Sequence, residues 1–183
     1  RSDLVAGYVG QTATKTSKVL EESLGGTLLI DEAYALARGG EHDFGREAID
    51  TLVKFMEDHR DDIAIVAAGY PTEMAAFISA NPGLHSRFTR TINFPDYSDD
   101  ELVIIFQRLG DRNCYVPTDD AVVKLRHLLA TTPRGAGFGN ARLMRNLFEA
   151  AVAHQAGRVA PLPDPDTEQL STLTADDIVS VES

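Results

Sequence analysis

Cysteine occurs once in this sequence, basic residues are few, and no apolar run approaches the roughly eighteen residues that a membrane span needs. The lone Cys114 excludes an internal disulfide and has no Cys or His neighbour at metal-ligand spacing, so a buried or partly buried structural thiol is expected. The five histidines are scattered and suggest no metal site. Seventeen Lys and Arg stand against 28 Asp and Glu, and the net charge of −11 opposes general binding to nucleic-acid backbones or anionic membranes. Much of that acidity lies at helix starts such as SDDE and TDD, where carboxylates match the helix dipole. The first residues carry neither a basic n-region nor an apolar h-region, so a cytoplasmic location is expected. What is present is ordinary for a folded protein: 43% hydrophobic and 25% charged residues in 183, enough for a sizeable core.

A phosphate-binding loop is also missing where one is first sought. Residues 7–16, GYVGQTATKT, place Lys15-Thr16 after a glycine, but a P-loop needs a second glycine directly before the lysine so that the chain turns tightly around the phosphates. Thr14 holds that place, and no apolar strand precedes it. An aromatic beside Val9 and Gly10, in a loop just before a helix, instead suits gripping an extended chain without reading its sequence. Packing of Tyr8 into the core is the alternative.

Periodicity predicts a helix over 12–24 with Ala13, Thr16, Leu20 and Leu24 on one face, stopped by Gly25-Gly26. TLLI, 27–30, and IAIVAAGY, 63–70, read as strands buried on both faces, as in parallel sheets. A second amphipathic helix starts near Phe44, Pro71 opens a third, NPGLHSRF forms a turn and short helix, and TINF, 91–94, is a third strand. Helix alternating with strand implies an α/β core with a parallel sheet over residues 1–95. Strands then stop. Ser98 with Glu101 forms a capping box, Thr118 and Asn140 open further helices, and 96–160 reads as all-helical. PLPDPD and a short segment capped by Thr174 make up 161–183.

Asp31 and Glu32 follow the apolar strand directly, at the end where open α/β sheets place their ligand crevices. An Asp there can hold a Mg²⁺-bound water and the next Glu can orient water on a γ-phosphate, the chemistry of a Walker B pair; a strand running out into solvent is the alternative. Arg87, in a turn after a helix, can reach a phosphate on a neighbouring subunit, or serve as a surface arginine. Arg142 falls in the first turn of a helix, where the dipole does not favour a cation; a phosphate partner and simple snorkelling to solvent both fit.

The order and spacing of these features resemble the AAA+ ATPases, specifically the CbbX-like group that includes red-type Rubisco activases, the sporulation stage V protein K family and the EccA ATPases of type VII secretion. DLVAGYVGQTATKT, GGTLLIDEAYALA, DFGREAIDTLVKFMED, AAGYPTEM, NPGLHSRF and GFGNARLMRNLFEAA carry the resemblance, which covers residue 3 to about 157. It implies a parallel-sheet core followed by a small helical lid, with ATP and Mg²⁺ as cofactors. It implies Tyr8 and Val9 as the first pore loop, residues 37–45 as the second, Asp31 and Glu32 as Walker B, Arg87 as arginine finger and Arg142 as sensor 2. Many AAA+ proteins carry an Asn as sensor 1 where this chain has Gly69-Tyr70, so Tyr70 is the candidate to orient water there.

The family's Walker A loop lies farther upstream of Walker B than the thirty residues present here. The expectation is therefore the C-terminal portion of an ATPase, without the P-loop strand that is central in AAA+ sheets and whose loss separates the last strand from the others. The parent protein is expected to hydrolyse ATP and remodel a protein client through a hexameric ring of its own copies, and the chain as given to be inactive alone. A catalytically inactive interaction or assembly module is the alternative.

Overall fold

A computed structural model describes residues 1–8, 10–38, 44–135 and 137–180. It divides into one unit over Arg1–Asn93 and a second that begins at Phe94.

The first unit is built on two short parallel strands, β1 (Thr27–Ile30) and β2 (Ala64–Ala67), paired with Thr27 opposite Ala64 and Ile30 opposite Ala67. Parallel strands need a long crossover. Here it consists of a 3₁₀ turn, Ala33–Ala37, and helix α2, Gly45–Asp58. Helix α1 (Thr12–Glu22) precedes β1 and packs on α2; α3 (Pro71–Ser79) and α4 (Pro82–Arg87) follow β2. Leu20 of α1, Ile49 and Leu52 of α2, Phe77 of α3 and Leu84 of α4 meet Ile30, Tyr34 and Leu36 in one core. Leu24 lies beyond the end of α1 and is exposed.

Two expectations about this sheet are corrected. The strands are buried on one face only: Leu28, Ile30, Ile65 and Ala67 pack on the core, while Leu29 and its partner Val66 are 62% and 47% exposed. All the described helices that join this core lie against one side, so the apolar run does not imply two covers. Residues 91–94 form no strand either; Ile92 and Phe94 stand exposed. An extended segment needs a sheet edge to bond, and this one reaches neither β1 nor β2.

The N-terminal turn explains why Lys15-Thr16 is no phosphate loop. Both residues sit inside α1. The Lys15 ammonium donates to the carbonyls of Ser2 and Val5, and the buried Thr16 hydroxyl donates to the Leu4 carbonyl at 2.9 Å.

In the second unit, Ser98 and Glu101 do form the capping box of α5 (Asp99–Arg112), and the donors of Ser98 hold the Glu101 carboxyl below its usual range. Thr118 caps α6 (Asp119–Thr131) through the Ala121 N–H, and α7 spans Ala141–Val159. Phe106, Leu125, Leu129, Met144 and Leu147 fill the core between these helices. Cys114 is not the buried thiol expected: it is exposed and left-handed (φ 62°), at the reversal after α5 where the Tyr115 N–H returns to the Gly110 carbonyl at 2.9 Å.

The last described segment folds onto these helices. After α8 (Thr167–Ser171), strand β4 (Thr172–Leu173) pairs in parallel with β3 (Val116–Pro117), and Leu173 and Ile178 enter the core. Polar side chains of α7 fasten it. Gln155, buried, donates to the carbonyls of Gln169 and Leu170, both at 2.9 Å. Arg158 grips Asp177 through two nitrogens at 3.1 and 2.8 Å, and Asp177 also accepts from the Thr174 N–H and hydroxyl. Burial alone would push the Asp177 carboxyl up; the Arg158 fork and the Thr174 donors outweigh it and hold the carboxyl below its ordinary value.

A carboxyl depressed in the folded state stabilises fully above its unfolded pKa, and that contribution disappears as pH falls through the folded value. Asp177→Asn should therefore destabilise the second unit at pH 7 by about 2 kcal/mol, less than a fully buried pair would cost because Arg158 is partly open to solvent. It should also flatten the loss of stability in acid. Thermal unfolding of wild type and variant between neutral pH and pH 3 checks both; parallel pH profiles would contradict the assignment.

Candidate functional site

The carboxyl end of β1 is shaped by one residue of β2. The Ala68 N–H donates to the Ile30 carbonyl at 2.9 Å, and its carbonyl accepts from the Ala33 N–H at 3.0 Å. A regular parallel ladder would return to residue 32. Asp31 and Glu32 together therefore oppose a single partner residue, a β-bulge that turns the strand outward. Glu32 takes up the turn in the left-handed region, φ 48° and ψ 46°, which non-glycine residues seldom occupy. Its N–H is satisfied by the Asp31 carboxylate at 3.0 Å. Both carboxylates are exposed and neither has an ion-pair partner among the described residues.

Beneath the bulge lies Tyr34, 5% exposed, which the sequence presents only as another apolar position in AYALA. Arg38 stands 4.5 Å over its ring, and the ring of Tyr70 lies 6.5 Å away. Burial, then the neighbouring charge of Glu32, push the Tyr34 hydroxyl above its ordinary value, with Arg38 opposing. Tyr70 itself is half exposed at the N-terminus of α3. Asp31, Glu32, Tyr34 and Tyr70 thus form one cluster at the carboxyl ends of the two strands.

The other expected site residues lie apart from it. Tyr8 is 74% exposed, which removes the core-packing alternative; Val9 and residues 39–43 of the expected second pore loop lie outside the described residues. Arg87 is the last residue of α4, the short helix expected over NPGLHSRF after α3. Its guanidinium pairs with Glu57 of α2 and donates to the Ser86 hydroxyl at 3.0 Å, while its Nε is buried with no partner among the described residues. Glu57 is the next-to-last residue of α2, and a crossover helix runs back toward the amino ends of the strands it joins. That end is the opposite one from Asp31 and Glu32, about 20 Å away along a helix of this length.

Arg142, in the second unit, is exposed in the first turn of α7 with no ion-pair partner among the described residues. Asn140 does not cap this helix with its side chain. Its backbone is at φ 45°, its Oδ1 accepts from the Tyr97 N–H at 2.9 Å, and its Nδ2 donates to Asp96 at 2.7 Å, so it fixes where α7, and with it Arg142, begins.

Gly69 shows how tightly Tyr34 is held. A Cβ there would stand 2.7 and 2.8 Å from two ring carbons of Tyr34 and 2.9 Å from the Met74 sulfur. Gly69→Ala should cost about 1–3 kcal/mol, the range for overpacking, because the ring is confined by Arg38 and Tyr70 and cannot retreat. Urea unfolding measures it; a variant as stable as wild type would mean that the ring moves freely.

The chain is similar to known ATPases throughout. Residues 1–96 match the ATPase family associated with various cellular activities (AAA), and residues 98–183 match the AAA lid domain. Stage V sporulation protein K of Bacillus subtilis is 46% identical over 97% of this chain and 56% of its own length. Protein CbbX of Cereibacter sphaeroides is 42% identical over 97% of this chain and 59% of its own. The ESX-3 secretion system protein EccA3 of Mycolicibacterium smegmatis is 39% identical over 97% of this chain and 32% of its own. The chain thus spans from a third to three-fifths of the length of these relatives. With an α/β core carrying the Asp-Glu pair and a helical lid after it, the chain belongs to the AAA+ ATPases, in the group that holds CbbX and stage V sporulation protein K.

Proposed function

We propose that this chain is the Walker B, arginine-finger and lid portion of an ATPase that couples ATP hydrolysis to remodelling a protein client in a hexameric ring. The observation that carries this reading is the bulge after β1, which presents two exposed carboxylates, without ion-pair partners among the described residues, at the ligand end of a parallel sheet. The donor set suits the cofactors: Asp31 supplies hard oxygen atoms for a hydrated Mg²⁺, and Glu32 supplies a carboxylate that can orient a water and take up its proton. ATP with Mg²⁺ would bring the phosphoryl chemistry; the residues named here bind, orient and accept the proton. Arg142, a cation with no ion-pair partner among the described residues, is assigned to the nucleotide phosphates as sensor 2. Tyr70 is assigned beside Glu32 at the sensor 1 position.

Arg87 is assigned to the neighbouring subunit's site. Its anchor on Glu57 lies at the opposite end of the sheet from Glu32, so it does not serve the site of its own chain. Tyr8, an aromatic open to solvent just before α1, is assigned with Val9 to gripping the client's extended backbone. The relatives' names cover both sporulation and secretion, so what they share is the motor and not one client.

The test uses full-length protein. Subunits carrying Glu32→Gln and subunits carrying Arg87→Ala are each nearly inactive alone, since an arginine finger is worth about 10³ to 10⁵ in rate, far above a surface ion pair. When mixed, interfaces that join an intact Glu32 site to an intact neighbouring Arg87 regain hydrolysis, and the rate peaks at intermediate ratios. A flat profile despite subunit exchange overturns the trans assignment. Full turnover of the Gln variant removes Glu32 from the mechanism and favours the inactive-module alternative for these residues.

A further inference from the structure

Arg142 has an exposed side chain and no ion-pair partner among the described residues, so where its guanidinium can reach is set by the backbone that starts α7. That start is an unusual turn. The Arg142 N–H donates to the Gly139 carbonyl at 2.8 Å, and Asn140, the first of the two residues between them, has φ 45° and ψ −122°. These are the dihedrals of a type II′ turn, whose first central position ordinarily belongs to glycine. A glycine would adopt them without strain, so the backbone gives no reason for an asparagine.

The side chain does. Asn140 reaches back to where the chain enters the second unit: its Oδ1 accepts from the Tyr97 N–H at 2.9 Å, and its Nδ2 donates to the Asp96 carboxylate at 2.7 Å and to the Phe138 carbonyl at 3.3 Å. Two adjacent residues are held by two different atoms of one amide, which fixes direction as well as distance. Arg134 completes the grip, donating to the Tyr97 carbonyl and pairing with Asp99 while its guanidinium lies 4.8 Å over the Phe138 ring. Tyr97 lies in no helix or strand, and both of its backbone groups are taken by side chains. It is exposed, so water could satisfy the same groups. Water could not tie the turn before Arg142 to a fixed point of the chain.

We propose that Asn140 is the positioning residue for Arg142, holding the turn in register with Asp96 and Tyr97 so that the guanidinium meets the nucleotide phosphates from one fixed start. The inference rests on the assignment of Arg142 given above. A guanidinium binds phosphate through paired, directional donors, so a shift in the backbone it grows from is felt as lost affinity.

The experiment uses full-length protein and a non-hydrolysable ATP analogue with Mg²⁺, so that affinity is read without turnover. Asn140→Gly accepts the dihedrals of the turn and removes only the grip, so it should unfold within a few degrees of wild type. Asn140→Gly and Arg142→Ala should each weaken binding about tenfold, and the double variant should bind within about twofold of Arg142→Ala, because residues that act through one contact are not additive. Asn140→Asp alone sets two carboxylates against each other and should also bind poorly. Adding Asp96→Asn exchanges donor and acceptor, rebuilds the pair and should restore affinity. A second readout needs no nucleotide: the Tyr97 N–H should exchange with solvent about tenfold faster in Asn140→Gly, regain protection in the exchanged pair and stay unchanged in Arg142→Ala. Wild-type affinity in Asn140→Gly, or a full further loss when it is added to Arg142→Ala, overturns the positioning role and leaves Arg142 standing. So does Tyr97 exchange indifferent to Asn140→Gly, or an exchanged pair that regains protection without affinity. Wild-type affinity in Arg142→Ala overturns the parent reading, and this inference with it.

Discussion

The two hydrogen bonds of Ala68 are the constraint on which the first unit's chemistry depends. By bonding Ile30 on one side and Ala33 on the other, this one residue forces Asp31 and Glu32 to share a single place in the ladder. The strand cannot continue, and both carboxylates are turned into solvent at the end of an apolar run. The 3₁₀ turn follows the bulge directly, from Ala33, and sets the Tyr34 ring against Gly69. A left-handed Glu is uncommon and strained, of order 1–3 kcal/mol for such a position, and it persists because the ladder on one side and the buried turn on the other leave no alternative path.

Backbone groups also govern the second unit, through side chains that reach them. Gln155 and Arg158, one turn apart on α7, bond three carbonyls of the last described segment between them, and Asp177 answers with the Thr174 N–H. Asn140 does the same at the other end of α7, accepting from the Tyr97 N–H. A polar residue that satisfies backbone groups in this way cannot be exchanged for an apolar one without leaving them unsatisfied.

Much of this was legible in the residues, for physical reasons that differ by element. The runs TLLI and AIVA are strands because continuous apolar β-formers bounded by glycine or charge have few other uses. Ser98 with Glu101 caps a helix because that spacing satisfies two donors at once. Asp31 and Glu32 were visible as carboxylates where a buried strand ends. What could not be read depends on contacts distant in sequence. Whether Leu29 and Val66 are covered depends on which helices lie against the sheet, and an apolar run is equally apolar in either case. TINF has strand composition and no edge to bond. Tyr34 reads as core, correctly, and what the residues do not show is how closely Gly69 is packed against its ring. Cys114 and Asn140 adopt positive φ at turns that glycine more often occupies, so composition misdirects at both.

Arg87 is the place where the energetics of a single chain fall short of an explanation. An ion pair as open as that with Glu57 contributes at most about 1 kcal/mol. Its Nε, buried and unpartnered, costs about 1–3 kcal/mol, the penalty for a donor removed from water with nothing to receive it. The first term does not repay the second, so the stability of this subunit gives no reason for an arginine at the end of α4. A lysine or glutamine could lie in solvent there at no cost. The imbalance is removed if the guanidinium's remaining donors meet an anion beyond this chain, and it is the fixed, multi-donor guanidinium, not a generic cation, that such an encounter requires.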